Sequence, residues 1–165
     1  MKKKLLALGV LAALALSLAA TASPARTAPK ANLVQTARSA GGFTTLVNLL
    51  ARAGLAGALA KPGPYTVFAP TDAAFAKVPK KTLEALLQNK AKLRAVLLYH
   101  VVSGRDTAAK VVTLTSAKTL NGQSVRIRVA SSHVFVGGAE VTKPDVIASN
   151  GVIHVIDRVL IPPTP

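Results

Sequence analysis

The chain has 165 residues, half of them apolar, with 21 basic against 6 acidic side chains and a formal charge of +15. That length suits one domain with a sizeable core, and the charge favours acidic partners such as anionic polysaccharide, wall polymers or phospholipid head groups. The absence of cysteine excludes disulfides, thiolate metal sites, cysteine nucleophiles and a lipid-modified N-terminal cysteine.

Met1-Lys2-Lys3-Lys4 is a basic start, Leu5 to Ala20 is a Leu/Ala-rich run with Ser17 its one polar side chain, and Ala20-Thr21-Ala22 is a small-residue cleavage site. This order predicts a secretory signal peptide over residues 1–22, cut before Ser23. The rival is a retained anchor, which needs about 20 apolar residues and lacks the cleavage pattern. Cleavage takes three of the 21 basic residues and leaves 18 against 6 acids, a charge of +12. No transmembrane segment is expected after cleavage, so the expected location is secreted, periplasmic or extracellular. A triple-lysine start with neither cysteine nor an Asn-x-Ser/Thr site leans towards a bacterial source.

Residues 23–31, rich in Ser, Thr, Ala, Pro and Lys, read as a flexible leader. A helix is predicted from Asn32 to Ser39, broken at Gly41-Gly42, and a second from Phe43 to Ala60, weakened late by Gly54 and Gly57. Lys61-Pro62-Gly63-Pro64 stops it and delivers the chain into a buried strand, Tyr65 to Ala69. Pro70 ends that strand, and Thr71 or Asp72 caps a helix whose first turn is Ala73-Ala74-Phe75. After Val78-Pro79, Thr82 is expected to cap a helix carrying Leu83, Leu86 and Leu87. Leu93, Val96, Leu97, His100 and Val101 then mark a helical stripe, with Gly104 as its C-cap and Tyr99 at its flank. One more short helix is expected between Asp106 and Leu114.

From Lys118 the period becomes alternating. Asn121-Gly122, Ser131-Ser132, Gly137-Gly138 and Asn150-Gly151 are turn signals. Val125, Ile127 and Val129 are expected on a dry face, with Arg126 and Arg128 on the wet one. The last strand, within Asn150 to Pro163, is apolar on both faces and should be central. Helices first and a strand meander afterwards give an α+β layout in one domain.

Enzyme signatures are missing. There is no nucleophile elbow, no His-Glu-x-x-His, no phosphate-cradling glycine loop, and six acids mark no carboxylate pair. His133 sits beside a turn and should be solvated. His100 and His154 each interrupt an apolar face, and a histidine so placed is more often a satisfied core residue than a metal ligand. Asp72 is a possible partner for His100. The basic residues form two further groups: Arg126 with Arg128 on one sheet face, and Lys80, Lys81, Lys90, Lys92 and Arg94 around two helix ends. Such charge runs are usually solvated faces. With no aromatic interleaved among them in sequence, polyanion contact without base stacking fits better than specific nucleic-acid binding.

Three ordered motifs, Tyr65-Thr66-Val67-Phe68-Ala69-Pro70-Thr71-Asp72, then Leu97-Leu98-Tyr99-His100-Val101-Val102, then Asn150-Gly151-Val152-Ile153-His154-Val155-Ile156-Asp157, resemble those of the fasciclin domain, an extracellular adhesion module. The resemblance covers about residues 32–163. It implies a β-sandwich or wedge with helices packed around it, no cofactor, and a non-catalytic role in attachment to cell-surface or matrix components. By the same resemblance, Tyr99 and His100 match an adhesion-linked Tyr-His region, and Asp145-Val146 matches an Asp-Ile pair with valine in place of isoleucine. Asn150 and Gly151, with Asp72, His100 and His154, are expected to serve the structure. Some members of the family carry carotenoids, so a carrier of an apolar small molecule or lipid is the alternative reading. The oligomeric state is not legible in the sequence.

Overall fold

The computed structural model describes residues 31–163; the expected signal peptide, and the leader up to residue 30, lie outside them. The first helix, α1 (Leu33–Ala40), starts at a reciprocal cap: Asn32 Oδ1 accepts from the Gln35 amide at 2.9 Å, and Gln35 Oε1 accepts from the Asn32 amide at 3.1 Å. The single helix expected over Phe43 to Ala60 is two, α2 (Thr44–Arg52) and α3 (Ala56–Ala60). They part at Gly54, whose φ of 71° is left-handed backbone that glycine adopts without a Cβ clash.

Strand β1 (Tyr65–Pro70) leads into α4 (Asp72–Ala76), capped by Thr71 Oγ1 on the Ala74 amide at 3.1 Å. Helix α5 (Lys80–Gln88) begins after Pro79, so Thr82 lies inside it and does not cap it. Proline belongs at such a start because its missing N–H would find no helical partner there. Asn89 caps α6 (Lys90–Tyr99), which ends earlier than its apolar stripe suggested. His100 is its C-cap, Val101 already belongs to β2 (Val101–Ser103), and Gly104 follows that strand and caps no helix. A one-turn α7 (Ala108–Val111) precedes the meander β3 (Ser116–Lys118), β4 (Ser124–Ala130), β5 (His133–Val136), β6 (Ala139–Ala148) and β7 (Gly151–Ile156).

All seven strands form one sheet in the order β2-β1-β7-β6-β5-β4-β3. Every contact in it is antiparallel except β1 with β7, where Phe68 stands beside His154 and Pro70 beside Ile156. The sheet curls until its two edges touch: Val102 bridges to Thr119, and the Leu120 amide donates to the Val101 carbonyl at 2.8 Å. The layers of the expected wedge are thus one continuous near-barrel, and the fold is α+β.

Alternation along β1 and β7 sorts the core into two parts. Val67, Ala69, Ile153 and Val155 face helices α1 to α6 and join Leu33, Leu46, Leu50, Leu59 and Leu97. Phe68 and Ile156 face into the curl with Val102, Val125, Ile127 and Val136. All six residues of β7 are buried, as a central strand covered on both faces must be. On β4, Val125 and Ile127 are buried, but Val129 is 51% exposed because it lies past the cover of the second core.

Candidate functional site

His100 and His154 are both buried and both satisfied, in opposite tautomers. His100 Nδ1–H donates to the Val96 carbonyl at 2.8 Å, and its Nε2 accepts the Leu160 amide at 2.8 Å. Burial lowers its pKa to about 4, against the smaller opposing effect of the Val96 carbonyl. His154 Nε2–H donates to the Asp106 carbonyl at 2.7 Å, its Nδ1 accepts the Asp145 amide at 3.3 Å, and its ring stacks on Phe68 with centroids 5.6 Å apart. The suggested pairing of Asp72 with His100 does not form. The Asp72 carboxylate accepts instead from the amides of Thr45 at 2.7 Å and Thr44 at 3.3 Å, capping α2, whose own N-cap Phe43 has no side-chain acceptor. Those two amides, Thr45 first, hold its pKa below the ordinary carboxylate value.

Of the two segments matched to adhesion, Tyr99-His100 is turned inward, whereas Asp145-Val146 stays partly in solvent. Tyr99 is buried, with its hydroxyl towards the Ser124 carbonyl at 3.5 Å, and burial raises its pKa. Asp145 is exposed at φ 56° inside β6, where its carboxylate accepts the first amide of α7, that of Ala108, at 2.8 Å. Val146 packs half-buried on the helical core. No side-chain hydrogen bond joins Tyr99 or His100 to Asp145 or Val146; the Phe68 amide donates to the His100 carbonyl, and the Phe68 ring passes the link to His154. Asn150 fastens three elements at once. Its Nδ2 donates to the carbonyls of Leu59 at 2.6 Å and Lys61 at 2.8 Å, and its Oδ1 accepts the Leu33 amide at 2.9 Å. A Cβ on Gly151 would stand 2.0 Å from the Tyr65 carbonyl oxygen, so glycine alone lets β1 and β7 close.

The basic residues fall into two neighbouring places. Arg126 and Arg128 are exposed on the outer face of β4 and, among the described residues, neither forms an ion pair. They border a depression of about 570 Å³ with Tyr99, Phe135, Gly138 and Pro163. Phe135 lies directly opposite Arg128 in the β4–β5 ladder, so the two side chains share a face. Along the sequence no aromatic is interleaved among these charges; strand pairing brings Phe135 to them. The signal was present in the Ser131-Ser132 turn: a two-residue hairpin there sets Ala130 against His133 and hence Arg128 against Phe135.

Lys92 lines a more apolar groove of about 400 Å³ with Leu86, Ala95, Val96 and Ile161, and Pro163 borders both places. Lys80, Lys81, Lys90 and Arg94 are exposed on α5 and α6. Between α5, α6 and the residues they cover, the enclosed apolar space beside Leu83, Leu93 and His100 is only about 10 Å³. That is roughly one water-sized probe sphere, with no room for a carotenoid or acyl chain among these helices and the segment that follows β7. Exposed His133 donates from Nδ1 to Glu140 Oε1 at 2.6 Å. Among the described residues no three His, Cys, Asp or Glu side chains are grouped to hold a metal, and no helix is long and apolar enough to cross a membrane.

The Fasciclin domain family model matches residues 41–162; α1, just before that stretch, packs into the same core through Leu33, Val34 and Ala37. Protein sll1483 of Synechocystis sp. is 46% identical over 146 residues, which is 87% of this chain and 81% of that protein. Immunogenic protein MPB70 of Mycobacterium bovis is 43% identical over 101 residues, 61% of this chain and 51% of its own. Among solved structures, a FAS1 domain pair from the insect cell adhesion molecule fasciclin I aligns with a TM-score of 0.59 at 24% identity, over 76% of this chain and 47% of that one. This last likeness is one of fold. The chain spans about half the length of the mycobacterial protein and of the insect pair.

Proposed function

Because this chain belongs to the fasciclin domain family, we propose that it is a secreted, non-catalytic attachment module that holds anionic components of a cell envelope or matrix. The observation that carries this reading is the outer face of β4, where Arg126 and Arg128 stand in solvent with no acid paired to them among the described residues. Two such guanidinium groups can each grip a carboxylate, sulfate or phosphate through a planar fork of donors. The insect relative in fold is itself a cell adhesion molecule. Lys90, Lys92 and Arg94 add to the positive field and steer an anionic polymer towards the face.

The test is retention of the protein, from Ser23 onward, on cell-envelope material as salt is raised. Screening shortens from about 8 Å at physiological ionic strength to about 3 Å at 1 M, so retention should fall several-fold across that range. Arg126→Gln with Arg128→Gln should lower it at constant salt while leaving the melting temperature unchanged. Salt-independent retention, or none, overturns the reading. Secretion is checked separately: the exported protein should begin at Ser23, and an intact Met1 on membrane-bound protein would refute it.

A further inference from the structure

Resting on the attachment function proposed above, we propose that the depression beside Arg126 and Arg128 is a subsite for an acidic pyranose polysaccharide, with Phe135 as the platform for a sugar ring. Three of the four phenylalanines, Phe43, Phe68 and Phe75, are buried; Phe135 is the one left partly in solvent, and it is the one set opposite Arg128. A partly wet aromatic ring bordered by cations offers two unlike surfaces at once. Its face receives the C–H side of a pyranose, and the guanidinium groups receive the acidic substituents of the same polymer. Arg126 and Arg128 are two residues apart on one strand, about 6.8 Å along it, so they give an extended chain two successive anchor points.

The rest of the depression suits this partner. The Gly137-Gly138 turn puts no side chain over the floor, and a Cβ on Gly137 would press within 2.9 Å of Leu160 and Val125. The nearest acid on the same face, Glu140 opposite Phe135, is engaged by His133 and so offers less repulsion to an incoming carboxylate. A single-stranded nucleic acid would stack successive bases on several aromatic platforms. Here there is one, because Tyr99, the other aromatic at the edge, is buried with its hydroxyl turned to Ser124.

Binding of the protein to three charge-matched polymers separates the cases: polygalacturonate, which has acid groups on pyranose rings, poly-glutamate, which has the acid without the ring, and poly-uridylate. The wild-type chain should prefer polygalacturonate. Phe135→Ala should weaken that binding about tenfold and leave poly-glutamate binding unchanged, whereas Arg126→Gln with Arg128→Gln should weaken both. Phe135→Trp, which keeps a platform, should retain the preference and guards against misreading a folding defect. Equal binding of polygalacturonate by wild type and Phe135→Ala overturns the ring platform while leaving attachment through charge intact. Preference for poly-uridylate, lost in Phe135→Ala, reassigns the subsite to nucleic acid and overturns the proposal. Failure of all three polymers to bind overturns both the subsite and the attachment function.

Discussion

Leu160 donates its backbone N–H to His100 Nε2 at 2.8 Å, so the end of α6 holds the segment that follows the last strand. The bond needs a neutral imidazole, since a protonated Nε2 can accept nothing. Unfolded His100 takes up a proton near pH 6.5, whereas the folded protein resists until about pH 4. The contribution to stability is therefore fully present above pH 6.5 and is lost as pH falls through about 4. A gap of that size is on the order of 3 kcal/mol. Denaturant unfolding at pH 7, 5.5 and 4.5 should show this decline. His100→Ala should cost about 3 kcal/mol at pH 7 through the orphaned Leu160 amide and lost packing, and should flatten the slope.

Asp72 offers a contrast, because its pKa is held low by bonds to exposed and half-buried amides. The carboxylate form caps α2, so this contribution is present above the unfolded value of 3.8 and disappears as pH drops below it. Asp72→Ala should cost about 1 kcal/mol at neutral pH, the usual worth of an N-cap, measured as a shift in the denaturation midpoint.

Asn150 and Gly151 fail for different reasons when changed. Asn150→Asp keeps an acceptor for Leu33 but sets a carboxylate against the carbonyls of Leu59 and Lys61. Loss of both donors should cost about 2–4 kcal/mol in urea unfolding. Gly151→Ala drives a methyl group into the Tyr65 backbone, so the expected result is a chain without a cooperative transition in circular dichroism melting.

Asp145 matches a position linked to adhesion by family resemblance, yet its carboxylate caps α7 and its amide serves His154. Asp145→Asn keeps an acceptor and tolerates positive φ, so stability should change little; Asp145→Ala should lose about 1–2 kcal/mol. A binding assay on Asp145→Asn then isolates any contribution of the charge itself. Loss of binding in both variants, in proportion to lost stability, would assign the residue to the fold alone.

Local chemistry made much of this structure readable. Three of the four turn signals, Asn121-Gly122, Ser131-Ser132 and Gly137-Gly138, lie between the strands they join, whereas the last turn falls on Ser149-Asn150 and Gly151 already belongs to β7. The Thr71 cap follows from one side chain three residues before its amide. What escaped the sequence depends on neighbours distant along the chain. Asp72 turns to α2 because Phe43 leaves that helix end uncapped. The apolar stripe through Val101 looked helical, but Val101 stands against Val67 and accepts from Leu120, and sheet pairing took it from α6. Phe135 hid among alternating residues until the hairpin register placed it beside Arg128.

The parallel contact of β1 with β7 also governs the order in which the molecule can be finished. Tyr65 to Pro70 must wait, from synthesis onward, for a partner whose first residue is Gly151. Until β7 inserts between β1 and β6, the helical core lacks Ile153 and Val155 and the curl lacks Ile156, so neither half is closed. Pairing across so long a stretch of chain is slow compared with helix formation. A nascent chain short of Gly151 therefore has neither core closed, and one six-residue strand is the keystone of both.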